Sequence, residues 1–571
     1  FEIIIIMSAV VGNQKAVSID RDSASFPLTQ WGDRFLDDEE HQQQGPLPVL
    51  ESEYEVLKEE VRKMLTAEDD GKPSAIAEKL RVIDAVQRLG IGYHFEKEIE
   101  EALEKVHALG DELFVIHDHD DNATTDDLYN AALRFRLLRQ QGLRVSPDGF
   151  RNLKDGEGNF KVWLASDEQG LLSLYEAAHV AIHGEGILDE ALSFATKTLK
   201  SILPQLSPLF HKQVKFALGL PSWKCVPRSL TRNYIDFYSE DASHNHKLLR
   251  FAKLDFNLLQ KLHRQELHEI SEWWKSLKVT TNFPHARDRV VECYYWIYAV
   301  YFEPKYQLAR VMCTKIISML SLLDDTCDNF ATFEEVKMLT EAIESFHVSA
   351  LEALPETMKN LYRIIIDLYD EIEMELAKTG PTFAVDYAKE ELKKICRAHL
   401  AEVQWRTKDH VPTLEEYKID AYVTSGFPIL CTSAFVGMGA EIATREAFEW
   451  VTNEPKMVRA ASVISRIQND IVSHKWERER SHAASAIECY MKEHGALEEE
   501  AVEFCWEEIS RAWKDIAEEC QKPTPLPVAL TDRVLNFARS ISVIYENGDG
   551  YTHSHLLKAH IASLFTDPIP L

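Results

Sequence analysis

Positive charge is scarce in this 571-residue chain: 63 Lys and Arg stand against 93 Asp and Glu, a formal net of -30. That balance argues against a nucleic-acid partner, because phosphate backbones are held by neutralising Lys and Arg. An anionic small molecule stays admissible, provided arginines or a bound metal supply local cations. Cysteines are few: nine, all from Cys225 onward and none in a CxxC spacing. An odd count without such spacing argues against a secreted disulfide framework and reads as free thiols in a reducing cytosol. Long apolar runs are missing too. The most apolar internal stretch, residues 311–323, contains Lys315 and falls short of the about 20 apolar residues that a membrane span needs. The start, FEIIIIM, has only Ile3 to Ile6 as an apolar run. It is too short for a signal-peptide core, and no Arg- and Ser-rich leader follows, so the expectation is a cytoplasmic protein. The final PIPL is neither a prenylation box nor a peroxisomal signal.

Strand signals are scarce as well, and apolar residues recur at helical spacing almost throughout. Leu80, Ile83, Val86 and Leu89 stop at Gly90; Leu128, Ala131, Ala132, Phe135 and Leu138 stop at Gly142. Proline and glycine clusters separate such runs. The pattern predicts an all-α chain of two helical domains, with the Pro-punctuated stretch 204–227 as the boundary. Residues 1–20 read as an unstructured extension, 21–232 as the first domain and 233–571 as the second. Long helices are expected over 290–302, 306–323, 356–379, 385–407 and 457–480, none with an internal Pro or Gly. Helices of that length form a bundle whose centre can host a ligand.

Four groups of residues carry chemistry. Asp324-Asp325-Thr326-Cys327-Asp328 follows the apolar run 311–323. Asp324 and Asp328 are four apart and share one helical face. Carboxylates crowded there repel one another unless a cation sits between them, and Mg2+ suits them because it takes oxygen ligands and bridges to phosphates. Asn469, Ser473 and Glu477 follow at i, i+4, i+8; amide, hydroxyl and carboxylate oxygens on one face again suit a hard cation. Alone, that stripe is more simply a polar surface. Arg466 precedes it by three residues and suits a diphosphate oxygen. Arg287-Asp288-Arg289 offers two guanidiniums for a departing diphosphate, although surface ion pairing explains most such triplets. Trp296, Trp405, Tyr545 and Tyr551 are candidate pocket aromatics, whose faces stabilise a cation without offering it a nucleophile. Each taken singly reads as core packing.

Together these groups resemble the terpene synthase family. Asp324, Asp325 and Asp328 match its aspartate-rich motif; Asn469, Ser473 and Glu477 match its second metal motif. The likeness extends through Trp31-Gly32-Asp33, IDAVQRLGIGYHFEKEI from Ile83, LRFRLLRQQG from Leu133, ARDRVVECYYW from Ala286, YFEPKYQLAR from Tyr301, TSGF from Thr424, IECYMKE from Ile487 and GDGYTHS from Gly548. The chain looks like a plant sesquiterpene synthase, and the resemblance implies an N-terminal helical, non-catalytic barrel followed by a class I catalytic bundle. It further implies three Mg2+ ions, with Mn2+ as a substitute. Asp324 and Asp328, supported by Asp325, would hold two, and Asn469, Ser473 and Glu477 the third. Arg287, Arg289 and Arg466 would take the diphosphate, together with the metal ligands Asp324, Asp328 and Asn469. Trp296 and Tyr551 would shape the cation pocket, with Asp549 beside Tyr551 in a closing loop. The substrate implied is farnesyl diphosphate, with geranyl diphosphate as the alternative, and the enzyme would act as a monomer. The loop carrying Arg287 and Arg289, which follows Lys278 to Pro284, and the segment Glu546 to Thr552 read as mobile pieces over the site.

Cys327 stands where the family usually has an aromatic residue, Phe346-His347 where Trp-Asp is common, and Ser481 where a glycine is usual; none removes a metal ligand. Asp118-His119-Asp120-Asp121 fits the protonating motif of class II diterpene cyclases. It lies in the polar stretch HDHDDNATTDD, which reads as a solvated loop. Two rivals are a chain-elongating prenyltransferase, which calls for a second aspartate-rich motif, and a helical binding scaffold with decayed motifs, against which the intact ligand set speaks.

Overall fold

The computed structural model describes residues 26–36, 48–68, 71–110, 126–378, 380–478 and 483–571. The 1–20 extension, residues 118–121 and Ser481 lie outside them, as do the side chains of residues 476–478. The first half contributes α1 (Pro48–Thr66), α2 (Pro73–Arg88), α3 (Glu96–Ala108), α4 (Asp126–Gln140), α5 (Glu168–Ala178), α6 (Gly186–Ile202), α7 (Pro208–Gly219) and α8 (Pro227–Glu240). The long α9 (His246–Ser276) and one-turn α10 (Val279–Asn282) lead into α11 (Val290–Val300), α12 (Gln307–Asn329), α13 (Phe333–Ser345), α14 (Glu356–Leu376), α15 (Phe383–Thr407) and α16 (Leu414–Thr424). Then come α17 (Phe427–Phe435), α18 (Arg445–Thr452), α19 (Lys456–Arg478), α20 (Ala486–His494), α21 (Glu498–Glu519), α22 (Val528–Ile544) and α23 (Lys558–Phe565). Among the described residues no strand forms; a lone antiparallel bridge joins Lys154 and Phe160. The all-α class expected from the periodicity is what the chain adopts.

Local sequence sets many of the helix starts. Capping boxes open α13 (Thr332 with Glu335), α16 (Thr413 with Glu416) and α20 (Ser485 with Glu488), satisfying otherwise orphaned N–H groups. Helix α2 ends against Gly90, whose φ is +73°. A Cβ there would lie 2.4 Å from Thr231 Oγ1, so only glycine lets the chain turn while touching α8.

One continuous apolar core runs from Trp31 to Ile569, and a smaller one packs Leu171, Tyr175, Ala195 and Leu199 with Val214. Helix α9 links the two halves. Leu248, Ala252, Asp255, Leu259, His263, Glu266, Ile270 and Trp274 form its buried stripe, spaced three and four apart. The polar members of that stripe are matched. Asp255 Oδ1 accepts hydrogen bonds from Tyr54 at 3.0 Å and Tyr93 at 2.7 Å, and lies 2.8 Å from His94 Nε2. Glu266 takes Arg310 of α12 in a two-pronged pair at 2.7 and 2.6 Å, and also accepts the Tyr294 hydroxyl at 2.9 Å. An unpaired charge at such depth is strongly destabilising, so these partners are obligatory.

The helix expected over 306–323 runs on to Asn329, so the aspartate motif lies within its last turns. Negative charge at a helix C-terminus is unfavourable. The guanidiniums of Arg287 and Arg406, from elsewhere in the chain, offset it. Helix α14 ends at Leu376 and α11 at Val300, slightly before their expected ends.

Candidate active site

Arg287 organises the mouth of the bundle. Its main-chain N–H and Nε donate to Asp325 Oδ2 at 2.7 and 3.1 Å, and Nη2 donates to Asp324 Oδ2 at 2.9 Å. Nη1 donates to Thr552 Oγ1 at 3.1 Å, and the guanidinium lies 4.9 Å from the centre of the Tyr551 ring and 5.4 Å from that of Phe26. Asp325 is fully buried, whereas Asp324 keeps 34% of its side chain exposed. Even so, burial of the carboxyl and the neighbouring charge of Asp328 push Asp324 up to about 6, against the pull of Arg287. Arg406, at the end of α15, donates to the main-chain oxygens of Cys327, at 3.1 Å, and Asp328. It thereby caps the acidic end of α12.

A fourth acidic group meets the motif from α15. Carboxylate oxygens of Asp328 and Glu402 and a ring nitrogen of His399 lie within 4.8 Å of one another. Glu402 is also held from the other side, accepting the Thr424 hydroxyl at 2.6 Å. Thr424 in turn accepts Arg466 Nη2 at 2.9 Å, and Arg466 Nε donates to Ala421 O at 3.1 Å.

On α19, Asn469 Nδ2 donates to the Tyr545 hydroxyl at 3.2 Å, which fixes the amide. The buried Ser473 hydroxyl donates to Asn469 O at 2.8 Å, leaving its lone pairs available. Glu477 lies on the same helix, two turns from Asn469, with its side chain outside the description. Asp470 faces elsewhere. It accepts the Tyr417 hydroxyl at 2.6 Å and the Ala486 N–H at 2.8 Å, so it anchors α20.

The turn after α22 closes the cluster. Asp549 Oδ1 accepts the N–H groups of Tyr551 at 3.0 Å and Thr552 at 2.9 Å. Gly550 is forced, since a Cβ there would lie 2.6 Å from Ile544 O. The Tyr551 hydroxyl donates to Ser321 Oγ at 2.6 Å, and its ring packs edge-on to Trp296 with centroids 5.7 Å apart. Arg289 is put to a different use from Arg287. It is 1% exposed. It donates to Asp288 O at 2.8 Å and, at 3.0 Å each, to Pro27 O, Tyr551 O and Thr552 O. Four of its five N–H groups are thus spent on carbonyls, clipping the N-terminal segment and the turn together. Ahead of the loop that carries Arg287 and Arg289, Val279–Asn282 forms a helical turn before the fully buried Phe283.

The structure therefore gathers Arg287, Asp324, Asp325, Asp549 and Tyr551 with Trp296, and brings Arg466 toward Asp328 through Thr424 and Glu402. Trp405 is half-buried on α15. Glu402, His399, Thr424 and Arg406 escaped the sequence reading. The available signal was Glu402 three residues after His399 on an otherwise apolar helix face.

Two family matches cover most of this architecture: Terpene synthase, N-terminal domain, over residues 30–218, and Terpene synthase family, metal binding domain, over residues 275–515. The chain belongs to the terpene synthase family. It is 47% identical over 561 residues to (-)-germacrene D synthase of Vitis vinifera, covering 97% of each chain. It is also 47% identical to sesquiterpene synthase 2 of Toona sinensis, again covering 97% of each. Among solved structures, isoprene synthase from grey poplar leaves (Populus x canescens), in complex with three Mg2+ ions and dimethylallyl-S-thiolodiphosphate, matches with a TM-score of 0.84 at 31% identity. That match covers 92% of this chain and 98% of the poplar one.

The donor set fits the divalent metal that a terpene synthase metal-binding domain implies. Asp324, Asp328 and Glu402 offer hard oxygens, and the Asp328 and Glu402 carboxylates lie within 4.8 Å of one another with His399. No helix among the described residues is long and apolar enough to cross a membrane.

Proposed function

We propose that this terpene synthase is a sesquiterpene synthase. It ionises farnesyl diphosphate with Mg2+ and converts the carbocation by cyclisation or rearrangement to a sesquiterpene hydrocarbon or alcohol, releasing diphosphate. The observation that carries the reading is the Arg287–Asp324–Asp325 cluster set directly against the aromatic pair Trp296 and Tyr551. An anion-handling mouth beside an aromatic wall suits a reaction that sheds a diphosphate and keeps a cation.

Asp324 and Asp328, with Asp325 and Glu402 in support, would hold two Mg2+ ions; Asn469, Ser473 and Glu477 would hold the third, with Mn2+ as a substitute. Bound metal neutralises charge developing on the departing diphosphate. Arg287 and Arg466 bind that diphosphate with charged hydrogen bonds. Arg289 and Asp549 position the closing turn. Trp296 and Tyr551 present ring faces to the carbocation and exclude water. Catalysis belongs to residues 233–571, with 21–232 as a non-catalytic helical domain. The nine free thiols, eight of them buried, suit a reducing compartment, and we assign the enzyme to the cytoplasm as a monomer.

The test is competition. Purified protein with Mg2+ is given equimolar geranyl, farnesyl and geranylgeranyl diphosphates, and the products are separated by gas chromatography with mass detection. C15 products should dominate, with C10 second and C20 poor. Dominant C10 product would establish a monoterpene synthase instead, and dominant C20 product would overturn the substrate assignment.

A further inference from the structure

Two cation-binding clusters on different helices have to act on one diphosphate, and the Thr424 hydroxyl touches the supports of both. Thr424, the last residue of α16, is 6% exposed. It donates to Glu402 Oε1 at 2.6 Å and accepts from Arg466 Nη2 at 2.9 Å. Glu402 belongs to the group around Asp328 on α12, and Arg466 stands one helical turn before Asn469 on α19. We propose that Thr424 is a positioning residue that couples the two clusters. Its hydroxyl keeps Arg466 and Glu402 apart while orienting both. This rests on the metal assignment made above.

The physical argument concerns what the hydroxyl prevents. A guanidinium and a carboxylate held by opposite sides of one oxygen are close enough to pair directly if that oxygen leaves. A direct Arg466–Glu402 pair would turn Glu402 away from Asp328 and take Arg466 out of reach of a diphosphate. With the hydroxyl in place, Glu402 Oε1 is satisfied by Thr424. Oε2 lies 3.8 Å from Nδ1 of His399, the histidine grouped with Asp328. Arg466 Nε is spent on Ala421 O, so the guanidinium plane is set by α16 at two points. A side chain that orients a metal ligand in this way typically governs metal affinity by about 10- to 100-fold.

The experiment measures metal binding without turnover. Mn2+ binding to the full-length protein is followed by electron paramagnetic resonance, with and without inorganic diphosphate, for wild type, Thr424→Val and Thr424→Ser. Thr424→Val should bind Mn2+ about tenfold more weakly and lose the gain in affinity that diphosphate confers on the wild type. Thr424→Ser, which keeps the hydroxyl, should match the wild type in both respects. A merely structural role would lower the melting temperature without separating Ser from Val. If Thr424→Val does not fold, Thr424→Ala carries the same comparison. Unchanged Mn2+ binding in the hydroxyl-free variant, or equal loss in Thr424→Ser, overturns the coupling. A wild type that binds no Mn2+ even with diphosphate overturns the metal assignment itself, and the coupling with it.

Discussion

Replacing Arg289 by methionine separates two uses of an arginine beside a diphosphate site. The side chain is 1% exposed, and methionine approximates its aliphatic stem while removing every donor. Two of its four hydrogen bonds hold the closing turn, at Tyr551 O and Thr552 O, each 3.0 Å. A hydrogen bond from a charged donor contributes about 1.5–3 kcal/mol. At the lower figure, losing both costs about 3 kcal/mol, which raises the open population of the turn roughly a hundredfold. The assay is hydrogen exchange in the empty protein, followed at the amides of Tyr551 and Thr552, which donate to Asp549 Oδ1. They should exchange roughly a hundredfold faster in Arg289→Met. The share of alcohol in the product should rise as water reaches the carbocation. If instead the variant exchanges like the wild type and only its KM for the prenyl diphosphate climbs, Arg289 is a direct diphosphate ligand and the clip has been misread.

Asp324→Ala and Asp328→Ala should each abolish turnover while circular dichroism stays that of the wild type; near-normal product at ordinary Mg2+ would contradict their assignment. Arg310→Leu should destabilise the fold by about 3–5 kcal/mol in urea titration, because it strands the fully buried Glu266 without its partner. His263 gives a pH dependence. Burial, with Arg310 and Arg228 nearby, holds its imidazole well below the ordinary 6.5, so the unfolded chain binds the proton first. Its contribution is complete above pH 6.5 and is lost as pH falls below that value. His263→Gln should flatten the fall in urea midpoint between pH 7 and pH 5, and an unchanged slope would remove His263 from the acid response.

Much of the helical framework was legible because it is local. Apolar residues at helical spacing, stopped by Gly90 and Gly142, correspond to α2 and α4. The i, i+4 spacing of Asp324 and Asp328 needed only helix geometry. What escaped was tertiary. Arg406 reaches the carbonyls of Cys327 and Asp328 from 79 and 78 residues away. Without that neutralisation in view, the sequence ended the helix at Leu323, where like charges begin. Thr424 meets Glu402 and Arg466 across separations of 22 and 42 residues; TSGF from Thr424 carried family likeness, but no local pattern joins its hydroxyl to either partner. Arg289 looked like the twin of Arg287 because the two flank one aspartate. Only the fold brings the carbonyls of Pro27, Tyr551 and Thr552, each about 262 residues away, to one of them and the carboxylates to the other.

The most direct measurement pairs two readouts on one sample. Purified protein is incubated with farnesyl diphosphate, with Mg2+ or with a chelator, and inorganic diphosphate and volatile products are quantified together. Stoichiometric diphosphate and C15 hydrocarbon or alcohol should appear with Mg2+ and neither with the chelator. Equal product in both samples would contradict the metal site, and diphosphate release without any C15 volatile would contradict the carbocation pocket.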